Sequence, residues 1–292
     1  MSWPDQGIHD GVPFAQYRAC DINQSDDLSS ATGKSVSKSL IINFLPDPSA
    51  WKQSLPKKTT SAMKGGSLFD CLLTTPEEFD SRYTVSRYDE FRTNESKAWR
   101  AEMEESGIEV IKADQLALAK AQIAAVMSKP EAARLVNGAR KQVAFRHKTG
   151  HCFWSKGLID LLPEDPEVIA DLKICEPRAL ESKRSLQRYI LDWGIHIQAG
   201  NYCSGYTYAG GEERRRFKLI FVPSSPPFRV AVVELPLAAI LFGSDLYRRG
   251  VNEFAQCLKS DKWPSIWDNE IEIDLPEYAY TEGEQQTGKA ES

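Results

Sequence analysis

Gly157-Leu158-Ile159-Asp160, the turn Pro163-Glu164-Asp165-Pro166, and then Ala170-Asp171-Leu172-Lys173 form the stretch on which the reading of this chain turns. In an extended strand, residues i and i+2 share a face. Asp171 and Lys173 therefore project together, and Leu172 between them points the other way, into a core. The two prolines mark a turn, so the runs 152–162 and 168–174 are expected to pair as a hairpin. That pairing brings Asp160, near the end of the first strand, close to Asp171. Two carboxylates on one sheet face suit a hard divalent cation such as Mg²⁺, which prefers oxygen ligands and keeps several waters. A lysine beside them can stabilise charge on a phosphoryl oxygen or help to activate water. A solvated hairpin with an ordinary surface ion pair has the same spacing, so the pattern alone leaves both readings open.

The flanking segments add to it. Residues 182–202 read as helical with a break near Gly194. Gln198 and Tyr202 lie i, i+4 on one face of that helix, where their polar ends could hold a phosphate, a water or Lys173. His196 stands two residues earlier and reads first as a helix histidine without a chemical role. Upstream, residues 60–73 read as a helix burying Leu68, Phe69, Leu72 and Leu73. Gly65-Gly66 near its start suggests a close backbone approach. Asp70 sits inside the apolar stripe, and an unpaired carboxylate there is costly. It needs a local hydrogen bond or cap, or a metal shared with Asp160 and Asp171.

Working further outward, residues 37–45, 94–105, 113–127, 130–137 and 237–258 read as helices, with Pro130 at an N1-type position. Residues 142–145, 217–222 and 229–235 read as further strands. The order predicts an α/β fold, a central mixed sheet flanked by helices with an N-terminal helical part. Residues 1–36 read as an extended segment and loop, 37–278 as one domain, and the polar stretch 279–292 as a disordered tail.

Composition is that of an ordinary globular protein, 41% apolar and 26% charged over 292 residues. The longest apolar run, Val230 to Phe242, is interrupted by Glu234 and Pro236, so no membrane span is expected. Met1-Ser2-Trp3-Pro4-Asp5 lacks the pattern of a signal peptide, which predicts a soluble cytoplasmic protein. Six cysteines, with no CxxC pair, predict reduced thiols and no zinc site. The net charge of −5 does not advertise nucleic-acid binding. DNA contact would have to come from local patches: Arg214-Arg215-Arg216 with Lys218, Arg248-Arg249, and Lys57-Lys58 with Lys64. The arginine run reads equally as a solvated loop.

Several segments, in their order along the chain, carry a family resemblance. They are Ser35-Val36-Ser37-Lys38-Ser39, Ala62-Met63-Lys64-Gly65-Gly66-Ser67, Thr75-Pro76-Glu77-Glu78-Phe79, Lys156-Gly157-Leu158-Ile159-Asp160, Asp171-Leu172-Lys173, His196-Ile197-Gln198-Ala199 with Tyr202, and Tyr247-Arg248-Arg249. Together they resemble the nuclease domain of the exodeoxyribonuclease VIII (RecE) family and its phage and prophage relatives, in the RecB-like branch of the PD-(D/E)XK superfamily. The resemblance implies a PD-(D/E)XK fold with Asp160, Asp171, Lys173, Gln198 and Tyr202 as catalytic residues. It implies Asp70, Asp160 and Asp171 as ligands of Mg²⁺, with Mn²⁺ as the alternative ion. The implied activity is a metal-dependent, ATP-independent exonuclease that digests the 5′-ended strand of linear double-stranded DNA and leaves a 3′ tail. Its implied partners are DNA ends, a RecT-like single-strand annealing protein, and further copies in a ring-like homo-oligomer within a bacterial host. A ring would gather Lys64, Arg214, Arg215, Arg216, Arg248 and Arg249 around a central channel.

The chain departs from the family at three places. Asp70 stands where relatives usually have His, Leu158 where Arg is frequent, and no Glu stands near Lys141. Only Cys257 follows Cys203, so the late cysteines that hold an iron–sulfur cluster in some RecB-like nucleases are missing, and no cluster is expected. A structure-specific endonuclease and a non-catalytic DNA-binding protein on the same fold are the competing readings.

Overall fold

In the computed structural model, which describes residues 5–55 and 60–274, the expected hairpin is present. The polar stretch 279–292 and the pair Lys57-Lys58 lie outside the described residues. The strands are β1 (Gly7–His9), β2 (Ser35–Ser37), β3 (Tyr83–Val85), β4 (Glu109–Ile111), β5 (Arg140–Lys148), β6 (Trp154–Leu162), β7 (Val168–Cys175), β8 (Arg216–Pro223) and β9 (Ala231–Leu235). The first six helices are α1 (Phe14–Ala19), α2 (Leu28–Ala31), α3 (Lys38–Phe44), α4 (Pro48–Gln53), α5 (Ser61–Thr74) and α6 (Phe79–Arg82). Then come α7 (Asn94–Glu105), α8 (Ala113–Ser128), α9 (Pro130–Val136), α10 (Lys183–Asp192), α11 (Ile195–Tyr208) and α12 (Leu237–Ser260).

The main sheet runs β1-β5-β6-β7-β8-β9, with β2 also paired to β6. The pairs β5–β6, β6–β7 and β8–β9 are antiparallel, whereas β7–β8 is parallel. A parallel neighbour needs a crossover, and α10 and α11 supply it. The β6–β7 pairing is confined to Leu161 opposite Ala170. The other half of the same β6 edge is taken by β2, which pairs Ser35, Val36 and Ser37 with Trp154, Ser155 and Lys156 in parallel. The edge of β6 thus forks, with β7 diverging on one side and β2 running into α3 on the other. Asp160 lies at the crotch of that fork.

Strand alternation sorts the core into layers. Ile169, Phe217, Leu219 and Phe221 face α11 and pack on Ile195, Ala199, Tyr202 and Cys203. Val168, Ala170, Leu172, Ile220 and Val222 face the other way, onto Phe69 and Leu73 of α5 and Val126 of α8. Each fully buried Phe or Leu in these layers contributes about 1.5–3 kcal/mol relative to exposure. The alternation breaks at Asp160, because Ile159 belongs to the α11-side layer and Leu161 to the opposite one. The partner strand breaks at the facing residue, Gln142, which holds a left-handed φ of 52°. That conformation costs a non-glycine residue about 1–2 kcal/mol, and such strain is a common feature of functional clefts.

The break expected near Gly194 separates α10 from α11, and Gly194 takes φ 60° there. α11 and α12 then cross backbone to backbone. A Cβ on Gly200 would lie 2.1 Å from the Ser244 nitrogen, and one on Gly243 would lie 1.8 Å from the His196 carbonyl oxygen.

Three expectations need correction. The stretch 1–36 is not only extended segment and loop, since its described part contains β1, α1, α2 and the start of β2. The first strand of the β region is longer than expected and spans Arg140–Lys148. Gly65 and Gly66 make no close approach, because a Cβ at either would meet nothing within 4 Å. Among the described residues no helix is long and apolar enough to cross a membrane.

Candidate active site

The fork opens into a cleft of roughly 250 Å³. α1 supplies Tyr17 and Arg18 to its wall, α3 supplies Lys38, α5 supplies Asp70, α6 supplies Arg82, and α11 supplies Tyr202. Asp160 lies on the cleft surface, whereas Asp171 is 1% exposed and does not line it.

Local chemistry holds each group in place. The Asp160 carboxylate accepts a hydrogen bond from the Leu172 backbone N–H at 3.0 Å, bridging the gap where the strands part. Lys173 donates to Asp171 Oδ2, and Gln198 Nε2 donates to Asp171 Oδ1. Both oxygens of that carboxylate are therefore engaged. Tyr202, one helical turn after Gln198, wedges its ring edge-on against Phe145, with centroids 5.9 Å apart. Gly157 makes room for this contact, since a Cβ there would lie 2.3 Å from the Phe145 ring. His196 faces elsewhere and stacks on Phe242 at 5.7 Å. It is a packed helix histidine.

The electrostatics match a site that concentrates negative charge. Burial, with Asp171 and Asp70 nearby, holds the Asp160 carboxyl well above the usual carboxylate range. Burial and Asp171 push the Asp70 carboxyl up to about 7, against the pull of Lys173. Burial pulls the Lys173 ammonium down, but Asp171 and Asp160 outweigh it and leave the group above its ordinary value. Burial and the like charge of Lys173 bring the Lys38 ammonium down to about 7.

These shifts give the chelator-treated protein a defined pH response. A carboxyl with a raised folded pKa binds its proton more tightly in the native state, so Asp70 removes stability as pH rises from about 4 to about 7. Lys38 acts only above about 7, where stability recovers towards the ordinary lysine range. The Asp70-dependent part of the stability should therefore grow on acidification from pH 7 to pH 5, by up to about 1.4 kcal/mol per pH unit, against the buried His147 and His196, which cost stability as they charge. Asp70→Asn should flatten that acid limb. An Asp70→Asn profile that parallels the wild type over the same interval would contradict the assignment.

The described residues expected to contact DNA lie away from the cleft, and all but Arg214 pair with acidic side chains at the surface. Arg214 is 8% exposed, and its guanidinium donates to the Asp165 and Val168 carbonyls at 2.8 and 2.6 Å, so it braces the hairpin turn from inside. Arg215 pairs with Glu213. Arg216 makes two hydrogen bonds to Glu234, at 2.7 and 3.0 Å. Lys64 pairs with Glu109, Arg248 with Asp245, and Arg249 with Glu253. None of these six lines the cleft, where the basic groups are Arg18, Lys38 and Arg82. Lys141 is likewise turned away and donates to the Leu73 carbonyl at 3.0 Å, while its neighbour Gln142 lines the cleft.

Lys38 is a cleft side chain that motif reasoning left out. Its ammonium donates to Gln198 Oε1 and lies 5.7 Å from the Tyr202 ring centroid. The one sequence signal was its place in Ser37-Lys38-Ser39, a segment tied to the site only by the β2–β6 pairing.

A forked mixed sheet with carboxylates at its crotch and an Asp-x-Lys strand is the core of the PD-(D/E)XK class. The chain belongs to a family within that class: residues 47–269 match the family described as a PDDEXK-like domain of unknown function, DUF3799. No curated protein matches the sequence. Among solved structures, a protein of Eubacterium rectale described as a candidate exonuclease superposes with a TM-score of 0.57 at 13% identity. That match covers 85% of this chain and 93% of the other, and it shares the fold. A phage-related exonuclease of Haemophilus somnus aligns over 76% of this chain and 97% of its own, at 13% identity, but its TM-score of 0.33 carries no argument.

Proposed function

We propose that the protein is a metal-dependent, ATP-independent exonuclease that digests linear duplex DNA in the 5′→3′ direction and leaves 3′ single-stranded tails. The observation that carries this reading is the meeting of Asp160, Asp171 and Lys173 at a strand fork that opens into a cleft lined by both acidic and basic side chains. Among the described residues, no three His, Cys, Asp or Glu side chains converge tightly enough to form a complete metal shell. A partial shell suits Mg²⁺, or Mn²⁺ in its place, which binds through one or two carboxylates and fills the rest with water and substrate oxygens. Asp160 and Asp171 would hold the ion, with Asp70 on the facing wall as a third carboxylate. When bound, such an ion polarises a phosphoryl oxygen and acidifies a coordinated water.

The chain's own groups do the rest. Lys173, kept charged by its carboxylate neighbours, faces the negative charge that builds on the phosphoryl group. Gln198 holds the Asp171 carboxylate, and Tyr202 closes the wall behind Lys38. Arg18 and Arg82, which line the cleft and pair with Asp21 and Glu78, would exchange those partners for the phosphates of an entering DNA strand. In this reading the protein works in a bacterial host cell, as a ring-like homo-oligomer, and hands its tails to a RecT-like annealing partner.

End-labelled linear duplex, with Mg²⁺ and with or without chelator, tests the proposal. The 5′ label should be released early, the 3′-ended strand should persist, and chelator should stop the reaction. Covalently closed duplex should stay intact. Cutting of the closed circle would replace the exonuclease by an endonuclease, and no cutting of any substrate would leave a DNA-binding protein.

A further inference from the structure

We propose that Lys38 is a positioning residue: it fixes the orientation of the Gln198 amide and, through it, the Asp171 carboxylate. The inference deepens the nuclease reading and rests on Asp171 being a reaction-centre carboxylate.

The backbone leaves Lys38 little choice of place. Pairing of Ser37 with Lys156 carries β2 along β6, and α3 begins at the next residue, where the Ser37 hydroxyl accepts from the Leu40 N–H at 3.4 Å. The Lys38 side chain therefore enters the gap that β7 leaves beside β6. There its Nζ donates to Gln198 Oε1, and Gln198 Nε2 donates to Asp171 Oδ1. Lys173 takes the other oxygen of the same carboxylate. The result is a chain from ammonium to amide to carboxylate to ammonium.

The polarity of that chain is the argument. An amide has one accepting end and one donating end of nearly equal size, and an aspartate presents acceptors only. Turned the other way, Gln198 would set its carbonyl oxygen against the carboxylate and its NH2 against an ammonium. Both contacts would repel. Gln198 is 1% exposed, so water cannot relieve the wrong orientation. Without a donor at the far end, only the carboxylate would choose between the two states. With the Lys38 nitrogen donating there, both ends choose the same one, and that hydrogen bond also polarises the amide into a better donor. The arrangement explains why the residue is an amide: a carboxylate at 198 would satisfy Lys38 and repel Asp171.

Lys38 also lines the cleft, so a direct contact to a substrate phosphate is the competing role, and two measurements separate them. The first needs no catalysis. In chelator-treated, ¹⁵N-labelled full-length protein, the Gln198 side-chain NH2 signals are identified by their loss in Gln198→Ala. Lys38→Met should shift both protons and speed their exchange with solvent, whereas Lys38→Arg should keep them near the wild-type positions. Should Lys38→Met melt early, Lys38→Leu carries the same comparison. Unchanged Gln198 signals in whichever of these two variants is folded would overturn the proposal.

The second measurement is a kinetic cycle. Lys38→Met should lower kcat about tenfold or more, the scale seen when a support of a ligating side chain is removed. KM for DNA should stay within about twofold of the parent. The double variant Lys38→Met/Gln198→Ala should cleave at the rate of Gln198→Ala alone, because the two residues act as one unit. Losses that multiply, or a loss confined to KM, would assign Lys38 to the substrate instead. If no variant and no wild-type protein cleaves DNA, the nuclease reading fails, and the amide signals still decide the role of Lys38.

Discussion

Asp171→Asn is expected to lower the single-turnover cleavage rate by about a thousandfold or more while leaving the protein folded. Asp171 is the most connected group of the site. It accepts from Lys173 and from Gln198, and it lies close enough to Asp160 and Asp70 to raise both their carboxyls. Asparagine keeps the shape and removes the charge; its oxygen still accepts from one neighbour while its NH2 faces the other donor, Lys173 or Gln198, and no cavity opens. Alanine should add a folding defect of about 1–3 kcal/mol, since it strips the buried Gln198 donor of its partner. Asp160→Asn is the instructive contrast. Its carboxyl is held above the ordinary range, so folding disfavours the ionised form, and the neutral variant should melt higher than the parent in chelator. Asp171→Asn cleaving at a near-parental rate would remove Asp171 from the reaction centre.

Lys173→Ala should cost about a hundredfold or more in kcat, the usual scale for losing one charge-stabilising group in a desolvated site. The loss should also depend on pH. Lys173 is among the forces that pull the Asp70 and Asp160 carboxyls down, and without it both rise further. Protons then compete better with the cation, so the acid limb of the rate profile should move to higher pH, and the deficit should be larger at pH 6 than at pH 8. Lys173→Arg should recover part of the rate, limited by the different shape of the guanidinium. A deficit that vanished at saturating Mg²⁺ would make Lys173 a support for metal binding, with no share in stabilising the transition state.

Much of the site is legible in the sequence because it depends on two short-range periodicities. The two-residue period of a strand puts Asp171 and Lys173 on one face and Leu172 on the other, and the structure places Leu172 in the opposite core layer. The helical period puts Gln198 and Tyr202 one turn apart, and both reach the site. The groups that escaped are set by pairings between distant segments. Lys38 arrives through three parallel pairs between β2 and β6, more than a hundred residues apart in sequence, and nothing in Ser35-Val36-Ser37 announces a strand. Arg214 looks like part of a solvated cationic run, yet its acceptors are backbone carbonyls of the Pro163–Val168 turn, which sequence does not display. Gln142 takes a left-handed conformation with neither Gly nor Asn to signal it. The absence of a Glu near Lys141 pointed to the right neighbourhood, but the residue that faces the cleft is Gln142.

The crossing of α11 and α12 at Gly200 and Gly243 sets a tolerance on the whole centre. Gln198 and Tyr202 ride on α11, and α11 is seated on α12 with no side chain between the two backbones. A single added methyl group at either glycine has nowhere to go except into separating the helices, and any separation is inherited by the two side chains at the fork. Neither glycine touches the cleft. In a map of permitted substitutions, positions 200 and 243 would therefore stand out with the reaction-centre residues, rejecting replacements by size and ignoring their polarity.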